Sequence, residues 1–414
     1  MSESESMLGG YRVLDLADEK GLLCGKILGD LGADVIKIEP PGGDPARRIG
    51  PFYHDEPHPE KSLYWFAYGA NRRGITLDIQ TADGRDMFRS LARTADIIVE
   101  TFPPGYLGRL GLDYAELEKV KPGIVLVSIT PFGQTGPYRD FKTADIVGWA
   151  MGGYMCSVGD GDRAPVRIGH HSQVYLHAGG QAAQAALLAL WGREVTGRGQ
   201  YIDVSIRDSI ARCTPERVTE AWDFRKVNVR RVSPAGGLRV KRVWPCKDGY
   251  VSAFFWSGPD ARRWNTPLVD WMKAEGMATD TLINFDWDSY SPMNTTQEDY
   301  DRLTAPVARF FMAHTKAELL AGAGKFRAQL YPLSTAADIP ENPQLAFRGY
   351  WVEIEHEDLG ASIAYPGPFG KSSEAPPRIR RRAPLIGEHN IEIYERELGI
   401  SRDKLVMLKQ AGVI

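Results

Sequence analysis

A chain of 414 residues exceeds one ordinary core, since domains usually run to roughly 100–200 residues, so two or more structural units are expected. With 43% hydrophobic and 25% charged residues and a net charge of −3, the composition is that of a soluble globular protein, excluding a disordered chain and any generic attraction to nucleic acid or acidic lipid. No apolar run approaches the roughly 18 residues of a membrane span, and the acidic opening "MSESESMLGG" has no hydrophobic targeting segment, so a cytoplasmic protein is expected.

In chain order, "YRVLDLA" predicts a strand, "LLCGKILGDLGA" a helix with one apolar face, and "DVIKIEPP" a strand that stops at Pro40 and Pro41. The same alternation follows: "GRDMFRSLARTA" helical, "DIIVETF" extended, "DYAELEKVKP" helical, "GIVLVSITPF" extended. Strands separated by helices of this length imply right-handed parallel crossovers, hence a doubly wound α/β sheet with ligands beyond the carboxyl ends of its strands. After "IDVSIRDS" the alternation ends and the composition turns basic and β-rich, which places a boundary near residues 210–230. The Pro- and Arg-rich run "YPGPFGKSSEAPPRIRRRAPLIGEH" reads as an extended linker and a second boundary.

Neither G-x-G-x-x-G nor G-x-x-x-x-G-K-[ST] follows a strand, which removes the main support for a dinucleotide-dependent dehydrogenase or a P-loop enzyme. The loops at the strand ends are instead "EPPGGDPAR", "ETFPPGYLGRLG" and "TPFGQTGPYRDFKTAD", the last two setting cations among Gly, Pro and backbone amides suited to phosphate. Cys24, Cys156, Cys213 and Cys246 are widely scattered and are expected reduced and buried. His54 with His58, and His170 with His171 and His177, lack metal-ligand spacing, so no metal site is expected.

Taken together, "VLDLA", "LGDLGADVIKIEPPGGDPAR", "YGANRRGITLDIQTADGRDMFRSLARTADIIVETFPPGYLGRLGLDY", "TADIVGWAMGG", "WGREVTGRGQYIDVSIRDS" and "RRAPLIGEHN" resemble, in order, the motifs of the family III (CaiB/BaiF type) CoA-transferases. The resemblance runs from about Leu8 to the end and is strongest to the subunit without the nucleophile in a benzylsuccinate-type heteromer. It implies a large Rossmann-like domain (1–215), a smaller α+β domain (225–350) and a C-terminal segment (365–414) returning to the large domain, two chains threading each other as interlocked rings. It implies further that CoA is a substrate thioester with no permanently bound cofactor, and that CoA is held at Leu77, Asp78, Ile79 and Gln80, at Thr101, Phe102 and Pro103, and by Arg109 and Lys142. Fixed cations at the last two would recover the phosphate charge of CoA. One phosphate contact is expected to be missing, because Pro40 stands where formyl-CoA transferases carry an Arg.

The family's chemistry, as the resemblance implies it, uses an aspartate that accepts CoA from one acid and delivers it to another. Its position, just before the alanine-rich helix leading to "TGRGQ", falls here on Val174 or Tyr175, and from Arg163 to Arg193 the chain contains no Asp or Glu. His170, His171, Tyr175 and His177 cannot substitute as the carrier, since an imidazole can take an acyl group but cannot become one; they remain candidates for binding a carboxylate, moving a proton or packing at an interface. Three readings stay open: a subunit paired with a homologous chain that keeps the Asp, acting on succinyl-CoA and an aryl- or alkylsuccinate; a homomeric transferase or acyl-CoA racemase using another acid such as Asp145; or a non-catalytic CoA-binding protein. The basic run Arg225 to Arg242, with "AGG" at Ala235 to Gly237, is a candidate for a loop that closes over a site or for a solvated turn.

Overall fold

The computed structural model describes residues 6–159, 163–169, 172–213 and 238–414. The chain divides into two compact units, Met1–Val158 with Val166–Val227 and Ala346–Ile414, and Gly159–Pro165 with Asn228–Leu345.

The first unit is built on six parallel strands, β1 (Arg12–Asp15), β2 (Asp34–Glu39), β3 (Arg72–Thr76), β4 (Ile97–Glu100), β5 (Val125–Thr130) and β6 (Gln200–Ser205), in the order β3-β2-β1-β4-β5-β6. Val13 pairs with Val35 on one side and Ile97 on the other, so the strand order reverses direction at β1. The intervening helices are α1 (Leu22–Asp30), α2 (Leu63–Gly69), α3 (Ala82–Ala92), α4 (Tyr106–Arg109), α5 (Tyr114–Val120), α6 (Asp145–Met151), α7 (Gln173–Thr196) and α8 (Ile206–Ala211). Strands covered on both faces need apolar residues at successive positions, and β4 and β5 are buried throughout. Alternate residues feed two cores. Val13, Val35, Val99 and Val127 pack with α1 and α7, while Leu14, Ile36, Ile98 and Leu126 pack with α3, α5 and the end of the chain.

Small residues let α7 lie close to α1: a Cβ at Gly179 would come within 3.0 Å of the Leu23 Cβ. Ser62, Thr81 and Asp113 cap α2, α3 and α5 by accepting from the backbone N–H of Trp65, Gly84 and Glu116.

β3 is one edge strand of the sheet, and its "RRGIT" sequence hides it from hydrophobic patterning. Arg72 instead donates to Asp15 Oδ2 at 2.9 Å inside the protein, and Arg73 pairs with Asp34 at 2.6 Å and with Glu392 at 2.7 Å. A second buried pair completes this layer: Arg47 forks onto Glu39 at 2.6 and 2.7 Å and lies 4.0 Å over the Trp65 ring. Fully buried Lys37 pairs with Asp44 at 2.9 Å; burial alone would push its ammonium toward neutrality, but Asp44, Asp15 and Glu39 outweigh that and hold it charged.

The second unit carries an antiparallel sheet, β7 (Val243–Cys246), β8 (Gly249–Ala253) and β9 (Leu330–Pro332), with α9 (Ala261–Ala274), α10 (Gln297–Ala313) and α11 (Lys316–Phe326). Its core is aromatic, with Trp271 stacked on Phe326 at 5.4 Å and packed edge-on against Phe310 at 4.9 Å.

The end of the chain belongs to the first unit. A hairpin of β10 (Trp351–His356) and β11 (Ala361–Pro366) leads to a stretch running beside β3, where Asn71 donates to the Arg378 carbonyl at 2.7 Å and accepts from the Arg380 amide at 2.6 Å. Tyr394 then donates to the Thr76 carbonyl at 2.8 Å, and the last helix, α12 (Arg402–Gln410), leads to Val413, whose carbonyl accepts from the Asp78 amide at 2.7 Å.

All four cysteines are free, as expected, but their burial is not uniform: Cys24 and Cys246 are buried, Cys213 is half-buried and Cys156 is exposed. Cys156 lies in a short 3₁₀ turn after α6, outside both sheet cores, where no apolar layer covers it. Among the described residues no cluster of metal-ligating side chains occurs, and no helix is long and apolar enough to cross a membrane.

Candidate functional site

At the carboxyl ends of β1 to β5 lies a cavity of about 690 Å³, where a doubly wound sheet is expected to hold its ligand. Leu77 to Gln80, following β3, Thr101 to Pro103, following β4, and Lys142, ahead of α6, all line it. Arg109 does not. It ends α4 with its guanidinium 5.6 Å from the ring centre of Tyr106, which does line the cavity.

Local geometry fixes these walls. The Asp78 carboxylate accepts from the Gln80 amide at 2.9 Å and its carbonyl accepts from the Thr81 hydroxyl at 2.8 Å, closing the turn after β3. Gly84 permits that turn, because a Cβ there would lie 1.9 Å from the Asp78 carbonyl oxygen. Across the reversal point, Thr101 Oγ1 donates to Asp18 Oδ1 at 2.8 Å and accepts from the Asp18 amide at 2.9 Å, so the loops after β1 and β4 are tied together. Phe102 stacks on Tyr106 with ring centres 4.6 Å apart. Beneath it the Glu100 carboxylate accepts from the Phe102 amide at 2.6 Å; burial, the dominant influence, pushes the Glu100 carboxyl up to about 7 despite this bond.

The cavity has apolar walls and cations at its rim. Lys20 pairs with Asp18 and Arg139 pairs with Asp140 at 3.3 Å, whereas Lys142 has no ion-pair partner among the described residues. Pro40 lines the wall after β2, so that position contributes no cation, and Asp44 farther along the same wall is committed to Lys37. Apolar and aromatic walls with one cation free of an ion pair among the described residues suit a mostly apolar ligand that carries an anionic group. Asp18, Lys20, Tyr106 and Arg139 escaped sequence reading as site residues, although Asp18, Lys20 and Arg139 lie in loops after predicted strands and Tyr106 opens α4 just beyond one.

The start of α7 carries no carboxylate. Val174 is fully buried in the core and Tyr175 is nearly so, its phenol pushed well above its ordinary range by burial first and by Glu19 second. Asp145, in the first turn of α6, uses both oxygens locally: Oδ1 accepts from the Val174 amide at 3.1 Å and Oδ2 pairs with Arg167 at 3.0 Å. His177 packs edge-on against Trp149 at 5.7 Å, with its Nδ1 3.7 Å from Cys213 Sγ. His170, His171 and the Ala235 to Gly237 segment lie outside the described residues.

A family model described as CoA-transferase family III matches residues 8–390. The chain is 37% identical over 386 residues, 92% of each chain, to succinyl-CoA:(R)-benzylsuccinate CoA-transferase subunit BbsE of Thauera aromatica. It is 31% identical over 409 residues, 98% of each, to succinyl-CoA–D-citramalate CoA-transferase of Chloroflexus aurantiacus. Its fold is similar to the crystal structure of a CAIB/BAIF family protein from Brucella suis, with a TM-score of 0.80 and 28% identity over 94% of this chain and 98% of that one.

Proposed function

The chain belongs to CoA-transferase family III, and from that premise we propose that it is the subunit without the nucleophile in a two-chain enzyme, transferring CoA from succinyl-CoA to an aryl- or alkylsuccinate in the cytoplasm. The observation that carries this reading is the start of α7, where Val174 and Tyr175 are buried and no acid occurs from Arg163 to Arg193. A homologous partner chain supplies the aspartate. The relative at 37% identity is itself named as a subunit and as acting on succinyl-CoA and benzylsuccinate, which supports both the pairing and the substrates.

In this proposal CoA lies along the cavity, with Leu77 to Gln80 and Thr101 to Pro103 against its ring and arm, and with Lys142 and Arg109 toward its phosphates. The thioester chemistry needs no resident cofactor or metal, because the carrier carboxylate alternates between free acid, anhydride and thioester. Binding energy gathered from the remote nucleotide lowers the barriers at the reacting carbon.

A subunit interface is supported by α7 itself. Leu188, Trp191 and Val195 fall on one face of the helix and are each 70% exposed, an apolar stripe uncovered in the single chain.

The test is CoA transfer from succinyl-CoA to a panel of carboxylic acids by this chain alone and by the chain co-expressed with a homologue bearing the aspartate. Activity confined to the mixture supports the proposal; full activity of the chain alone overturns it.

A further inference from the structure

A second cavity, of about 420 Å³, shares only Pro103 and Tyr106 with the one at the carboxyl ends of β1 to β5. Its floor is the sheet face that packs under α4 and α5. Pairing along β4, β5 and β6 sets Glu100, Ser128 and Asp203 in one row across that face, with Leu126 beside Tyr201 in a neighbouring row. Leu107 of α4, with Asp113 and Tyr114 at the start of α5, forms the opposite wall.

What this cavity lacks is positive charge. Glu100 and Asp113 line it, Asp203 adjoins it by accepting from the Gln134 amide at 2.8 Å, and among the described residues no Lys, Arg or His lines it. Glu100 is only 3% exposed. Its carboxylate is hydrogen-bonded, by the Phe102 amide at 2.6 Å and the Ser128 hydroxyl, yet has no ion-pair partner among the described residues. Its charged neighbours Asp18 and Asp203 carry its own sign, and Arg109 lies instead over the ring of Tyr106. A buried carboxylate ordinarily has a counter-ion, and here the space for one lies beside it. A bare metal ion would need several ligands converging on a point, and no three carboxylate, imidazole or thiol groups do so among the described residues. The rings of Tyr114 and Tyr201 stand 6.1 Å apart and tilted by 34°, an aromatic surface of the kind that attracts an organic cation.

We propose that the second cavity binds a small organic cation, a protonated amine on an apolar body, with its ammonium between the Glu100 carboxylate and the rings of Tyr114 and Tyr201. Leu107, Leu126 and Pro103 then cover the apolar body. Asp113 and Asp203 add to the attraction, while the Tyr201 phenol, raised to about 12 mainly by burial, stays neutral and offers only its ring. Burial pushes the Glu100 carboxyl up to about 7, so the form that pairs with an ammonium predominates above that pH and is lost as pH falls through it.

This site is independent of the two-chain reading, because its test reads binding and not CoA transfer. The full chain is titrated by calorimetry with benzylammonium chloride, and with benzyl alcohol as a neutral probe of the same shape. The expected result is one site per chain at pH 8, with benzyl alcohol at least tenfold weaker. Benzylammonium should also bind at least tenfold more weakly to Glu100→Gln, and to the wild type at pH 5.5, where the amine keeps its charge and Glu100 does not. Tyr201→Leu, which keeps an apolar wall but removes a ring near the exposed surface, should weaken the amine by about threefold and leave benzyl alcohol unchanged. No saturable binding at pH 8, equal affinity for the two probes, or unchanged affinity in a folded Glu100→Gln chain overturns the proposal. Displacement of the amine by CoA would place it in the first cavity and overturn the assignment as well.

Discussion

The Asp145 carboxylate in the first turn of α6 accepts the Val174 backbone N–H at 3.1 Å, capping the start of α7 from another element. The helix needs this acceptor, because the Ser172 side chain at its N-cap does not accept from the helix amides and the first amides of any helix lack partners within it. A negative charge there also faces the positive end of the helix dipole. The residue in line for the chemistry on sequence grounds thus has a structural job.

Asp145→Ala should therefore lower thermal stability, by about 1–3 kcal/mol for the stranded amide. Asp145→Asn, which keeps an acceptor oxygen, should lose less and should retain CoA transfer per folded complex. Melting curves read beside turnover decide the matter: loss of transfer in Asp145→Asn with an unchanged melt would restore Asp145 as the carrier.

Lys142 is the cavity cation without an ion-pair partner among the described residues, so its charge is available to a phosphate. Lys142→Ala should raise the KM for the CoA thioester about tenfold, in line with a charge-assisted bond of roughly 1.5–3 kcal/mol, with little change in kcat. The difference between wild type and variant should shrink as salt is added. A fall in kcat at unchanged KM would place Lys142 with the reacting atoms instead.

Sequence alone makes the sheet legible where strands are mostly apolar runs, as in β4 and β5, because a strand buried on both faces usually carries apolar residues at successive positions. It fails at β3, whose two arginines are neutralised by Asp15, Asp34 and Glu392, partners up to 319 positions away. The family resemblance, not periodicity, pointed to Leu77 to Gln80 and Thr101 to Pro103, and the fold gathers them with Lys142 around one cavity.

The exposed stripe of Leu188, Trp191 and Val195 predicts where a partner chain docks. Trp191→Asp places a charge at the centre of an apolar face, where a single large side chain can dominate binding, and should weaken assembly at least tenfold while leaving the melting temperature of the isolated chain unchanged. Size-exclusion chromatography of the co-expressed pair reads the effect. An undisturbed complex would move the interface elsewhere.

Glu100 gives the protein a pH signature. Burial raises its carboxyl from an ordinary 4.5 to about 7, so the ionised form is the one the fold disfavours. Below pH 4.5 the group is protonated folded and unfolded, and its penalty is absent; as pH rises through about 7 the folded protein must carry the buried charge, and stability is lost. Glu100→Gln keeps a carbonyl oxygen to accept from the Phe102 amide but never ionises. The variant should match wild type below pH 4.5 and exceed it at pH 8 by on the order of 3 kcal/mol, the value of a shift of this size. Because Phe102 and Pro103 wall the cavity, the same ionisation should loosen CoA binding in the wild type above pH 7 and not in the variant. Denaturation and KM measured at both pH values test this together, and a stability gap that stays constant with pH would show that the Phe102 bond, not burial, governs Glu100.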